Sequence, residues 1–152
     1  MKSCSGTTAS RTVFLFVDYG SRFIEAKIFL NLSIIKNMSD NKTTIQELKS
    51  LIEAFVDARD WQQFHSPKNL SMSLSIEAAE LMELFQWLDL DEAREAMKAG
   101  AVRESAKDEI ADVLIYALAF CNSNGIDIAD AVTRKTEKNN QKYPADKFKG
   151  HF

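Results

Sequence analysis

Leu74-Ser75-Ile76-Glu77-Ala78-Ala79-Glu80-Leu81-Met82-Glu83-Leu84-Phe85-Gln86-Trp87-Leu88 has the apolar spacing of a helix, but of an unusual one. Leu74, Ala78, Leu81, Leu84, Phe85 and Leu88 recur at helical intervals and spread over more than one face, where a helix with a single packing partner carries one stripe. This implies burial on several sides, which is the environment inside a helical bundle. A second helix of this kind is predicted over 103–122, with Ile110, Val113, Leu114, Ala117 and Cys121 as its stripe and a stop before Gly125. Working outward, Thr44 and Glu47 have capping-box spacing ahead of Ile45, Leu48, Leu51, Ile52, Phe55 and Val56, so a helix is expected over 44–61. Residues 62–69 read as a loop containing Phe64, His65 and Pro67, and the central helix is expected over 70–88. A short helix over 91–99 stops at Gly100, and a last one runs from Asp127 until Tyr143-Pro144 ends it, leaving a polar tail with Phe148 and Phe152.

Composition agrees with this reading. The 152 residues suit one domain, and 45% hydrophobic with 27% charged residues is the balance of a folded globule. Five Gly and two Pro are too few turn-formers for a many-stranded β fold, so the fold class is all-α, four-helix-bundle-like. Its helices each need more apolar partner surface than one small chain supplies, which implies completion by oligomerisation, as a dimer or tetramer. Nineteen basic against 22 acidic side chains, net −3, provide no basic field for a nucleic-acid polymer. No run reaches the ~18 apolar residues of a membrane span. Cys4 and Cys121 form neither a disulfide framework nor a zinc spacing, which fits a reducing cytoplasm. Met38-Ser39-Asp40-Asn41-Lys42 reads as an independent start with a polar lead-in, so 1–37 is expected to be an N-terminal extension and 38–152 the domain.

The chemistry sits in the two apolar helices. Glu77 and Glu80 lie one turn apart on one side, and Glu109 and Asp112 repeat the arrangement. Beside Ile76, Leu81, Ile110 and Val113, unpaired carboxylates would repel and lose hydration, several kcal/mol per buried ion unless neutralised. A divalent cation is the simplest neutraliser, and oxygen ligands select a hard ion such as Mg²⁺ over zinc. The competing reading is a solvated polar face, or carboxylates paired within the helix to Lys107 and its like.

These residues resemble a family. Glu77-x-x-Glu80 followed by Glu109-x-x-Asp112 is similar to the signature of the all-α, MazG-like nucleoside triphosphate pyrophosphohydrolases. The dCTP pyrophosphatase branch is resembled most, through Arg59-Asp60-Trp61-Gln62-Gln63-Phe64-His65, Glu80-Leu81-x-Glu83-Leu84-Phe85-Gln86-Trp87, Asp112-Val113-Leu114-Ile115-Tyr116 and Asn139-x-x-x-Tyr143-Pro144. The likeness covers roughly residues 44–144.

That resemblance implies a Mg²⁺-dependent enzyme that cleaves a (deoxy)nucleoside triphosphate, dCTP or a relative, between its α and β phosphates, in the manner of pool-sanitising proteins. It implies that Glu77, Glu80, Glu109 and Asp112 are catalytic metal ligands and that Trp61, His65, Trp87 and Tyr116 line the nucleotide site. Lys135, Lys138, Asn139 and Lys142 resemble its phosphate-side residues. Without the resemblance, core packing accounts for Trp87 and Tyr116, and a solvated charged face accounts for the lysines. Where dCTP-specific relatives carry a substrate-contacting His in the first helix, this chain has Ile52. Two other classes stand beside the enzyme: a non-catalytic helical oligomer whose acidic pairs hold a structural ion as an interaction module, and a phosphohydrolase of another small phosphorylated compound.

Overall fold

The first helix begins where Thr44 and Glu47 satisfy each other's amides. The Glu47 amide donates to Thr44 Oγ1 at 3.2 Å, and the Thr44 amide donates to Glu47 Oε2 at 2.7 Å, so two N-terminal donors that a helix leaves unpaired are both used. The computed structural model describes residues 38–150. The expected extension over 1–37, with Cys4, and the end of the tail at Phe152 lie outside the described residues. Within them every element is helical: α1 (Ile45–Asp57), a single 3₁₀ turn (Gln62–Phe64), α2 (Pro67–Glu83), α3 (Leu90–Ala96), α4 (Ala101–Ser123), α5 (Ile128–Lys142) and α6 (Ala145–Phe148).

The boundaries differ from expectation for identifiable reasons. Helix α1 stops at Asp57 rather than near residue 61 because Asp60 takes φ 53°, a left-handed conformation in which a helix cannot continue. Helix α2 starts three residues earlier than expected. Pro67 occupies its first turn, where a missing N–H costs nothing, and Ser66 Oγ accepts from the Asn69 amide at 3.1 Å. It also ends earlier, at Glu83, and Asp89 then caps α3 with a second capping box to Glu92. The expected polar tail contains α6, where Phe148 meets Tyr143 ring to ring at 5.4 Å.

Helices α2 and α4 are the principal pair, and α1 packs on α4. The core gathers Ile52 and Val56 from α1, Leu70 from α2, and Leu118 and Ala119 from α4, with Leu48, Tyr116, Phe120 and Ile128 packed around them. Two polar ties hold α1 to the end of α4: Asn122 Nδ2 donates to the Lys49 carbonyl at 2.9 Å, and Lys49 Nζ donates to the Ile126 carbonyl at 3.0 Å. This core occupies one end of the α2–α4 pair. Along the rest of it, Met72, Ile76, Met82, Ile110, Leu114 and Ile115 remain 41% to 58% exposed, an apolar surface of the kind that a partner covers.

Leu70, only 2% exposed, is where a cavity is most damaging. Leu70→Ala should lower the unfolding free energy by about 3 kcal/mol, read from urea midpoints at constant slope. The cap gives a pH-dependent counterpart. Hydrogen bonds from the Thr44 amide and hydroxyl hold the Glu47 carboxyl below its ordinary value, so its contribution is present above the usual glutamate range and disappears as pH falls through the lowered value. Glu47→Gln should therefore be less stable than the parent at neutral pH, and the difference should vanish in acid.

Candidate metal centre and adjoining cleft

The pairing of α2 with α4 brings Glu77, Glu109 and Asp112 together. One carboxylate oxygen from each lies within 4.8 Å of the other two, and all three side chains are half-buried. Glu80, one turn along α2, is exposed and stands outside this trio, but its charge bears on both Glu77 and Glu109. Partial desolvation, followed by repulsion from Glu80, Asp112 and Glu109, raises the Glu77 carboxyl above its ordinary value. Desolvation, then Glu80, Asp112 and Asp108, does the same for Glu109. These carboxylates are less buried than their apolar sequence neighbours imply, and they are crowded by one another.

No cation answers that crowding among the described residues. Lys107, the intrahelical partner that a solvated-face reading requires, is bound to Glu104 at 2.7 Å. The remaining ion pairs, Arg94 to Asp91, Lys98 to Glu95 and Arg134 to Asp130, are exposed and also lie elsewhere. Three carboxylates able to converge on one point, with no His or Cys among them, match the oxygen donor set of a hard divalent ion.

Beside the trio lies a cleft of about 230 Å³ lined by Trp61, Phe64, His65, Asn69, Leu70, Ser73 and Tyr116. Helical geometry connects the two. Tyr116 is one turn beyond Asp112 on α4, and Ser73 one turn before Glu77 on α2, so residues at this spacing share a face. Because early residues of α2 meet late residues of α4, the pair is antiparallel, and cleft and trio are successive stations along one groove.

Of the sequence-predicted residues, the groove thus unites Glu77, Glu109, Asp112, Trp61, His65 and Tyr116. Trp87 falls beyond the end of α2 and is 86% exposed, outside the cleft wall. Lys135, Lys138, Asn139 and Lys142 lie on α5, all exposed and none lining the cleft. The Asn139 backbone carbonyl accepts from the Tyr143 amide at 2.8 Å at the end of α5, and Lys142 Nζ stands 4.9 Å from the Tyr143 ring centroid.

Sequence reasoning missed Asn69 and Ser73 as wall residues. The signal was available for Ser73, one turn upstream of Glu77 on the same face. It also missed a second cavity of about 290 Å³ on the far side of His65, floored by Ile52, Val56 and Ala119 and rimmed by Glu53, Asp57, Gln62, Asn122 and Ser123. Those rim residues come from α1, the 3₁₀ turn and α4, and no local pattern joins them.

Known proteins share much of this stretch of chain. The model of the MazG-like family matches residues 72–151. The dCTP pyrophosphatase 1 of Mus musculus is 36% identical over 107 residues, 70% of this chain and 63% of that protein. The Homo sapiens protein of that name is 37% identical over 102 residues, 67% of this chain and 60% of its own length. The chain therefore spans under two thirds of these relatives. A solved pyrophosphatase from Archaeoglobus fulgidus DSM 4304 is 42% identical and superposes with a TM-score of 0.63, covering 71% of this chain and 99% of that one.

A cation that relieves repulsion in the trio stabilises the fold. Adding Mg²⁺ at ~100 times its Kd should stabilise the protein by about 2.7 kcal/mol, read as a rise in thermal midpoint. Glu109→Gln should be at least as stable as the parent without metal, because one repelling charge is gone, and should lose the response to Mg²⁺.

Proposed function

This chain belongs to the MazG-like family, and from that membership we propose that it hydrolyses (deoxy)nucleoside triphosphates, dCTP or a close relative, to the monophosphate and pyrophosphate in a Mg²⁺-dependent reaction. The observation that carries the proposal is the convergence of Glu77, Glu109 and Asp112 within 4.8 Å, without a counter-cation and one helical turn from an aromatic cleft. Such a groove suits a substrate with a polyanionic end and a flat apolar end.

Glu77, Glu109 and Asp112, with Glu80 beside them, would hold the ion. When bound, Mg²⁺ neutralises phosphate charge and lowers the pKa of a coordinated water. The protein's own part is positional. Trp61 and Tyr116 present ring faces on which a base stacks, a contact worth about 1–3 kcal/mol. His65, on the wall between the two cavities, offers polar contact to the sugar or base. One of the carboxylates, or Glu83 at the end of α2, orients the water for in-line attack at the α phosphorus, and the bond to the β phosphate breaks as pyrophosphate leaves. Lys135, Lys138, Asn139 and Lys142, exposed on α5, are assigned to the polyphosphate, and Trp87 to the base. Both assignments go with an assembly in which a second copy covers the apolar surface of α2 and α4 and completes the site. Residues 38–152 are proposed to carry the activity, in the cytoplasm where nucleotide pools are found.

Turnover of each common deoxynucleoside and ribonucleoside triphosphate, with Mg²⁺ or with EDTA, tests this directly. Monophosphate and pyrophosphate are the expected products, formed fastest from one base and lost with EDTA. Glu80→Gln and Asp112→Asn should abolish turnover, a fall of at least ~10²-fold by the usual cost of removing a group essential to transition-state charge, with helical circular dichroism retained. Full activity in either variant removes the ligand assignment. Metal binding without turnover of any nucleotide favours the interaction module.

A further inference from the structure

Among the described residues, Asp60 is the single non-glycine residue in left-handed backbone, with φ 53°. Its place explains why. The Trp61 amide donates to the Val56 carbonyl and the Asp60 amide to the Asp57 carbonyl, both at 3.1 Å. These two bonds together form the Schellman ending of a helix, which demands a left-handed residue at the position Asp60 holds, usually glycine. The motif folds the next residue back on the helix's last turn. Trp61 accordingly meets Phe55 edge to face at 5.8 Å. Arg59 closes the arrangement from the other side, its guanidinium 3.6 Å from the Phe55 ring centroid and donating to the Phe55 carbonyl at 3.0 Å.

Asp60 is also tied forward. Gln63 Nε2 donates to the Asp60 carbonyl at 2.9 Å and reaches its carboxylate at 3.3 Å, which anchors the adjoining 3₁₀ turn. One backbone conformation therefore determines where Trp61, Phe64 and His65 stand relative to Tyr116 across the cleft.

We propose that Asp60 is a positioning residue for substrate, its left-handed backbone setting the Trp61 wall of the cleft against which the base stacks. The proposal rests on the reading that this cleft receives a nucleotide base. It assigns Asp60 to affinity and not to chemistry, because Trp61 borders the cleft while the carboxylates occupy the next station of the groove. It also assigns the role to the backbone and not to the carboxylate charge. Glycine enters this conformation freely and asparagine with little cost, whereas a β-branched residue opposes it.

The test compares Asp60→Gly, Asp60→Asn and Asp60→Val by steady-state kinetics on the best nucleotide and by ¹⁹F NMR of protein labelled with 5-fluorotryptophan. The Trp61 resonance is assigned by its loss in Trp61→Phe. Gly and Asn should hold KM near the parent value and leave that resonance in place. Val should raise KM about tenfold, the equivalent of one lost base–aromatic stack, keep kcat, and move the Trp61 resonance while that of Trp87 stays. If Val does not accumulate folded, Asp60→Ala gives the same comparison with milder strain. An unmoved resonance and KM in the strained variant overturn the proposal, as does an equal rise in KM for Gly and Val, which would transfer the role to the carboxylate. Absence of turnover in the parent defeats the nucleotide reading instead, and the resonance comparison still decides whether Asp60 places Trp61.

Discussion

The close approach of partly desolvated carboxylates across the α2–α4 pair is the constraint on which the candidate site depends. Glu77, Glu109 and Asp112 approach within 4.8 Å across the α2–α4 interface, and Glu80 adds a fourth charge close enough to raise two of the others. The core of Leu70, Leu118 and Ala119 holds the two helices together about two turns away, at one end of the pair. A fold that spends packing energy to oppose its own electrostatics is suited to a ligand that reverses the sign of the interaction. A polyphosphate alone would add to the repulsion, so an anionic ligand placed here would require a cation with it.

The groove derives its two-part character from helical periodicity. One turn separates Ser73 from Glu77 and Asp112 from Tyr116, and each step joins cleft wall to carboxylate along the same face. The third wall cannot come from the pair itself. It comes from the turn after α1, where Trp61, Phe64 and His65 succeed the left-handed Asp60. That turn is held by the two Schellman bonds and the Arg59–Phe55–Trp61 cluster, and Lys49 and Asn122 tie α1 beside the end of α4.

A single copy uses only part of its apolar surface. The buried core is small and lies toward one end of the α2–α4 pair, while Ile76, Leu114 and their neighbours stay exposed. The same apolar excess that reads as burial on several sides is thus exposed in one chain.

The all-α class, the order of the helices, the two acidic pairs and the likeness to the MazG-like family were legible in the sequence, because capping boxes, apolar periodicity and carboxylate spacing are local patterns. Glu77 and Glu80 were equivalent at that level, being one turn apart in the same context. Only the tertiary structure separated them: Glu77 brings an oxygen within 4.8 Å of both Glu109 and Asp112, whereas Glu80 stays exposed beside them and acts through its charge. The end of α1 escapes a sequence reading because the chain offers aspartate where glycine would have announced the stop, and the left-handed backbone at Asp60 shows only in the structure, together with the Trp61–Phe55 contact and the bond from Gln63. The second cavity, whose rim draws on α1, the 3₁₀ turn and α4, had no local signature. Spacing along one helix is encoded within a few residues, whereas contacts between helices depend on every side chain that sets their separation and angle.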